Sequence, residues 1–192
     1  MMPALRYRGW KWRAMGLLLF GRQQAALDVF ESMLQEFPGD SYGLASKAHL
    51  QAQLGRKRDA LRTFEQLVTA DGENARHWFN YGFLLEEMGE YEQAEAALRR
   101  ATELSPKLDR AWYGLGLVLI RLQRFDEALV ALKKNTQLQP MSPYGWYQLA
   151  RVHVDRHEPE EALRIIRHLK RFEPKVAAQL ERETGIFVPP AS

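Results

Sequence analysis

The chain contains no cysteine. Disulfide staples, thiolate nucleophiles and cysteine-bound metal centres are therefore excluded, and a reducing compartment is compatible with the sequence. Long apolar runs are also missing. Those present, such as Leu115 to Ile120, fall far short of the ~20 residues a spanning helix needs. Charge of one sign is not in surplus either. The 27 basic and 24 acidic residues leave a formal net charge of +3, too balanced to demand a nucleic-acid or membrane partner. There is no Gly-rich phosphate loop and no nucleophile–base constellation, so nothing points to catalysis and no cofactor is implied.

What is present is a repeat. Asp109 to Ser142 reads as two amphipathic helices joined by a break at Gln123–Arg124 and stopped by Pro140. Sliding this stretch by 34 residues in either direction yields five copies without insertion: 7–40, 41–74, 75–108, 109–142 and 143–176. The fourth position is Trp10, Leu44, Trp78, Trp112 and Trp146, and the eighth is always small: Ala14, Ala48, Gly82, Gly116 and Ala150. The twentieth is alanine throughout (Ala26, Ala60, Ala94, Ala128, Ala162), and the twenty-fourth is Phe30, Phe64, Leu98, Leu132 and Ile166. Pro38, Gly72, Pro106, Pro140 and Pro174 close the copies.

Small residues at positions 8 and 20 allow the two helices of a hairpin to approach closely. The bulky positions 4 and 24 are expected to fill the space between hairpins. Proline cannot continue a helix, so it sets where the next hairpin begins. A fixed period of this size is the mark of a repeat architecture rather than of a globule with a single core.

The pattern resembles the tetratricopeptide repeat family, in register from residue 7 to 176. The resemblance implies an all-α fold, a right-handed α-solenoid of five helix-turn-helix hairpins. Residues 1–6 form an N-terminal extension, and residues 177–192 continue a short capping helix into a proline-containing tail. Departures are local. Gly72 replaces proline in copy two, Asn135 stands where the family usually has alanine, and His157-Glu158-Pro159 occupies the turn of copy five.

Several local features have two readings. Arg6, Arg8, Lys11 and Arg13 precede an apolar stretch to Phe20 and faintly imitate a signal peptide, yet they also fill the first repeat. Trp10, Trp12, Leu17 and Phe20 either pack on copy two or stay exposed and invite self-association. The basic run Arg56-Lys57-Arg58 reads as a solvated turn. Gly116 is explained by close packing, whereas Gly114 is not, and is taken to leave room at a surface.

At the C-terminus, a helix of about Lys175 to Glu183 should cover copy five with Val176 and Leu180, and Gly185 should end it in a left-handed cap. The tail Ile186 to Pro190 docks back, floats, or reaches a neighbouring molecule. His153 and His157 sit at i and i+4, a spacing that can hold a metal, but no further ligands accompany them, so no metal is predicted. The acid pairs Glu86-Glu87 and Glu181/Glu183 read as ordinary helix surface.

In the tetratricopeptide repeat family the first helices line a groove with positions 2, 5, 9, 12 and 13. Carried onto this chain, the resemblance implies a partner-binding set of Tyr42 and His49 in copy two and Arg76, Phe79, Phe83 and Glu87 in copy three. Copy four adds Arg110, Tyr113, Leu117 and Arg121, and copy five Tyr144, Tyr147 and Arg151. Aromatics interleaved with arginine are the residues that anchor binding hot spots, and arginine pairs with carboxylates in two-pronged fashion.

The expected occupant is a peptide or helical segment bearing acidic and apolar residues. The family's clamp for a C-terminal carboxylate is broken here: Asn80 matches, but Ala45, His49 and Gly114 do not, so binding of chaperone tails is not predicted. The chain reads as a cytoplasmic, non-catalytic protein-interaction scaffold or adaptor. A single-stranded RNA-binding repeat is the alternative, along with a scaffold that self-assembles through its first repeat or its tail.

Overall fold

The computed structural model describes residues 3–189, which are helical with no strand among them. The helices are α1 (Pro3–Leu19), α2 (Gln23–Glu36), α3 (Ser41–Gln53), α4 (Lys57–Ala70), α5 (Ala75–Glu87), α6 (Tyr91–Leu104), α7 (Asp109–Arg121), α8 (Phe125–Leu138), α9 (Pro143–Asp155), α10 (Pro159–Leu169) and α11 (Pro174–Thr184). The chain divides into two compact units, Met1–Glu90 with α1 to α5 and Tyr91–Ser192 with α6 to α11. The division falls at the turn of copy three, so each unit holds two whole hairpins.

The first helix begins at Pro3 rather than near residue 8. Proline's fixed φ suits a first helical turn, and only Gly9 and Gly16 weaken the run that follows. Most of the expected N-terminal extension is therefore part of α1.

The turn inside each hairpin uses the same device. Position 15 adopts a left-handed conformation in every copy: Gly21, Gly55 and Gly89, with φ of 70°, 78° and 81°, then Gln123 at 58° and His157 at 60°. Glycine takes this region without steric cost, whereas a side chain there costs about 1–2 kcal/mol. The departure in copy five is otherwise harmless. Glu158 occupies the cap and Pro159 opens α10, one period after Phe125 opens α8.

Inside the hairpins the small positions behave as their size requires. All five alanines of position 20 are completely buried. A Cβ added to Gly116 would come within 2.7 Å of Leu132. Position 24 thus fills its own hairpin as well as the space beyond it, for Leu132 also shares a cluster with Leu149 and Val152 of α9. Gly114 is explained in the same way: an added Cβ would meet Leu98 of α6 at 3.3 Å. The surface opening expected there is a close helix contact.

The tryptophans at position 4 have a polar role as well. Trp78, Trp112 and Trp146 each donate their indole N–H to a backbone carbonyl six residues earlier, those of Gly72, Pro106 and Pro140, at 2.7, 3.0 and 2.9 Å. The bond needs a carbonyl and not a proline ring, so Gly72 serves as well. Trp10 donates to Glu36 instead. The bond satisfies the indole donor and ties three repeat boundaries to the first helix that follows.

Unit two ends in α11. It packs on α9 and α10 through the fully buried Ala177 and Leu180, with Val176 partly buried beside them. Leu180 falls one period after Trp146 and takes up its packing role. Gly185 ends the helix at φ 72°. Ile186 and Val188 then fold onto the same cluster, and the Val188 amide donates to Glu181 at 2.7 Å. The described part of the tail therefore docks on its own chain. Pro190 lies outside the described residues.

Candidate functional site

The residues of the expected groove are carried by α3 and α5 in unit one and by α7 and α9 in unit two. In unit one, Tyr42 meets Phe30 edge-on at 5.9 Å, and the Lys11 ammonium sits 3.7 Å from the Tyr42 ring centroid. Tyr42 and Phe83 remain open to solvent, while Phe79 is half-buried and lies 6.3 Å from Phe83 between ring centroids. Arg76 is exposed, and its backbone N–H donates to the Asn74 side chain that caps α5.

Glu87 is exposed but engaged, its carboxylate 3.1 Å from Lys57. With Arg56 donating to Gln24 at 2.9 Å, two members of the basic turn Arg56-Lys57-Arg58 are paired rather than simply solvated. His49 is exposed, with its ring 5.5 Å from that of Phe64. Partial withdrawal from water, then the neighbouring charge of His77, push its pKa below the ordinary imidazole value. His49 is therefore a neutral donor or acceptor at physiological pH.

In unit two, α7 lies beside α9, and α9 beside α11. Arg110, Arg121 and Tyr144 are exposed; Leu117 is half-buried, and Tyr113 is half-buried against the cluster of Leu129, Leu132 and Leu149. Tyr147 and Arg151 differ from the rest because α11 supplies them with a ligand. The Tyr147 hydroxyl donates to the Glu183 carboxylate at 2.5 Å and the Arg151 guanidinium donates to the same oxygen at 3.1 Å. Gln179 donates to the other oxygen at 2.8 Å. The Tyr147 hydrogen bond, followed by that of Gln179, holds the Glu183 carboxyl below the usual carboxylate range.

Glu181 is likewise depressed, first by Lys170 at 2.7 Å and then by the Val188 amide. Neither acid is ordinary helix surface. Glu181 is buried and Glu183 is held at a predicted binding position. Spacing gave no sign of this, because the partners lie 32 and 36 residues apart on helices that meet only in the folded unit.

The two histidines do not share a helix face. His153 is buried, with its Nδ1 sharing a hydrogen bond of 2.7 Å with Glu158, while His157 lies past the end of α9 in the left-handed turn. Of the six groove aromatics, three stay open (Tyr42, Phe83, Tyr144) and three are half-buried (Phe79, Tyr113, Tyr147).

This arrangement of paired helices, left-handed turns and indole-to-carbonyl ties has close parallels. A family model described as tetratricopeptide repeat matches residues 46–109 and 84–134. Tetratricopeptide repeats occupy residues 46–134, and the chain has the fold of that family. Solved structures with the same fold include that of YrrB, described as a TPR protein with an unusual peptide-binding site. It is 20% identical with a TM-score of 0.78, the match covering 88% of each chain. MamA from Desulfovibrio magneticus RS-1 is 19% identical with a TM-score of 0.78, over 92% of this chain and 96% of that one. A tetratricopeptide repeat protein from Parabacteroides merdae is 20% identical with a TM-score of 0.82, over 93% of this chain and 73% of that one. At these identities the likeness is one of fold. No curated protein matches the sequence. Among the described residues, no helix of this chain is long and apolar enough to cross a membrane.

Proposed function

We propose that the protein is a non-catalytic scaffold or adaptor of the cytoplasm. Its first helices bind a peptide or helical segment that carries acidic and apolar side chains. The observation that carries this reading is Glu183, seated between Tyr147 and Arg151 at 2.5 and 3.1 Å. A carboxylate from the chain itself is held by two of the residues expected to hold a partner's. Charge-assisted bonds of this kind are the stronger class of hydrogen bond. Within unit two, the exposed ring of Tyr144 and the exposed Arg110 and Arg121 extend the same chemistry to positions not occupied by α11, and unit one offers Phe83 and Arg76 of its own. Peptide binding by the structurally similar YrrB agrees with this use of the fold. The balanced charge of the chain disfavours an RNA-binding reading, because nucleic-acid affinity rests on neutralising phosphates.

The test is an affinity pull-down from the native lysate, comparing wild type with Arg110→Ala/Tyr113→Ala/Arg121→Ala after circular dichroism shows both to be equally helical. A protein recovered by wild type and lost by the triple variant supports binding through α7. Recovery of the same protein by both forms removes α7 from the site.

A further inference from the structure

We propose that the outward face of α1 is a docking surface for an anionic lipid bilayer. Arg8, Met15 and Leu19 of this face fall at groove positions 2, 9 and 13 of the first copy, and none of its residues lies on α7 or α9.

The inner face of α1 is accounted for. Tyr7, Trp10, Ala14 and Leu17 pack with Leu27, Phe30 and Met33 of α2. Arg6 pairs with Glu36 at 2.8 Å, and Lys11 lies over the Tyr42 ring. The opposite face is a ridge of Leu5, Trp12 and Leu19, exposed by 57%, 73% and 82%. These residues follow one another at seven-residue intervals, which on a helix drift only ~20° per step. Met15 and Phe20 stand beside them, exposed by 51% and 80%. The chain thus leaves its largest apolar side chains in water along one line, on a helix that nothing within the described chain covers from outside.

Charge selects the occupant. The seventeen residues of α1 contain no acid, and Arg8 and Arg13, exposed on either flank of the ridge, enter no ion pair among the described residues. A second copy docked by two-fold symmetry would set these arginines against their own counterparts. A bilayer surface takes both parts at once: phosphates for the arginines, and the interfacial zone for a tryptophan and aliphatic side chains. Gly9 and Gly16 lie on the same face, and a Cβ added to either would meet nothing within 4 Å. Packing within the chain does not require them. They keep the backbone flat on both sides of Trp12, where a ridge must settle between headgroups.

The experiment is co-sedimentation of the full chain with vesicles of equal parts phosphatidylglycerol and phosphatidylcholine, and with vesicles of phosphatidylcholine alone. The chain is expected to sediment with the anionic vesicles and to be released by salt. Arg8→Ala/Arg13→Ala should weaken that binding roughly thirtyfold. Trp12→Ser/Leu19→Ser/Phe20→Ser should remove it, with helicity unchanged because these side chains are exposed. The Arg110/Tyr113/Arg121 variant should bind vesicles like wild type, which separates this proposal from the groove reading.

Three results would overturn it. The first is equal binding to neutral and anionic vesicles, or to neither. The second is full vesicle binding by the ridge variant. The third is a lipid-free dimer in analytical ultracentrifugation that the ridge variant abolishes, which would assign the face to a second copy.

Discussion

The first and last helices of the chain solve the same problem in opposite ways. Each lies at the end of a run of stacked hairpins, where one side of a helix has no following repeat to pack on. At the C-terminus α11 covers that side. Ala177 and Leu180 are fully buried, the tail folds over with Ile186 and Val188, and Glu181 and Glu183 fasten the helix to Lys170, Tyr147 and Arg151. Among the described residues no element covers the outward face of α1: Leu5, Trp12 and Leu19 face water, while Arg6 pairs with Glu36 of α2. In unit two an eleven-residue helix covers the last hairpin, whereas in unit one the outward face of α1 keeps tryptophan and leucine bare.

This contrast can be broken by mutation, and the largest effect is expected where it is sharpest. Leu180→Ala in α11 should destabilise unit two by about 2–5 kcal/mol, as deletion of a fully buried leucine does. The same substitution at Leu19 in α1 should stay within ~0.5 kcal/mol. Urea unfolding of both variants measures the difference, and equal losses would mean that α1 is covered after all.

Next in size is the hairpin interior, which should be indifferent to its distance from either end. Gly116→Ala drives a methyl group into Leu132 and should cost about 1–3 kcal/mol by overpacking. In copies one and five, Ala14 and Ala150 already occupy this position, opposite Phe30 and Ile166. The neighbouring leucine, not the rule of a small residue, makes glycine necessary in copy four.

A smaller effect, of opposite sign, belongs to the turns. Gln123→Gly and His157→Gly relieve a left-handed backbone and should each raise stability by about 0.5–1 kcal/mol, read as a higher thermal midpoint. The gain separates unit two from unit one, where all three equivalent positions are already glycine.

The smallest effect is a pH dependence confined to the covered end. Glu183 and Glu181 have pKa values lowered in the folded chain. Their contribution is complete above the ordinary carboxylate range and is lost as pH falls through the depressed folded values. Hydrogen exchange of the α11 amides should therefore quicken on acidification, and Glu183→Gln should blunt that response. The exchange of α1, which carries no carboxylate of its own, should not follow the same course.

Much of the fold was legible because its contacts recur at one interval. Alanine at position 20, a small residue at position 8 and, in four of the five copies, tryptophan at position 4 recur in register, so local composition and period were enough to predict the hairpins and their turns. The binding surface was less legible. The aromatics of α3, α5, α7 and α9 look alike in sequence, yet Tyr144 is open, Tyr113 rests on a buried cluster, and Tyr147 is claimed by Glu183.

The amino-acid sequence by itself determined the period, the hairpins and the stop at each repeat, because these follow from residue size, helix propensity and spacing within one copy. Only the tertiary structure decided that Glu183 sits between Tyr147 and Arg151, that Gly114 lies under Leu98, and that the ridge of α1 is bare. Exposure and pairing depend on which element lies across from a side chain, and that neighbour is chosen by packing over distances that no local pattern encodes.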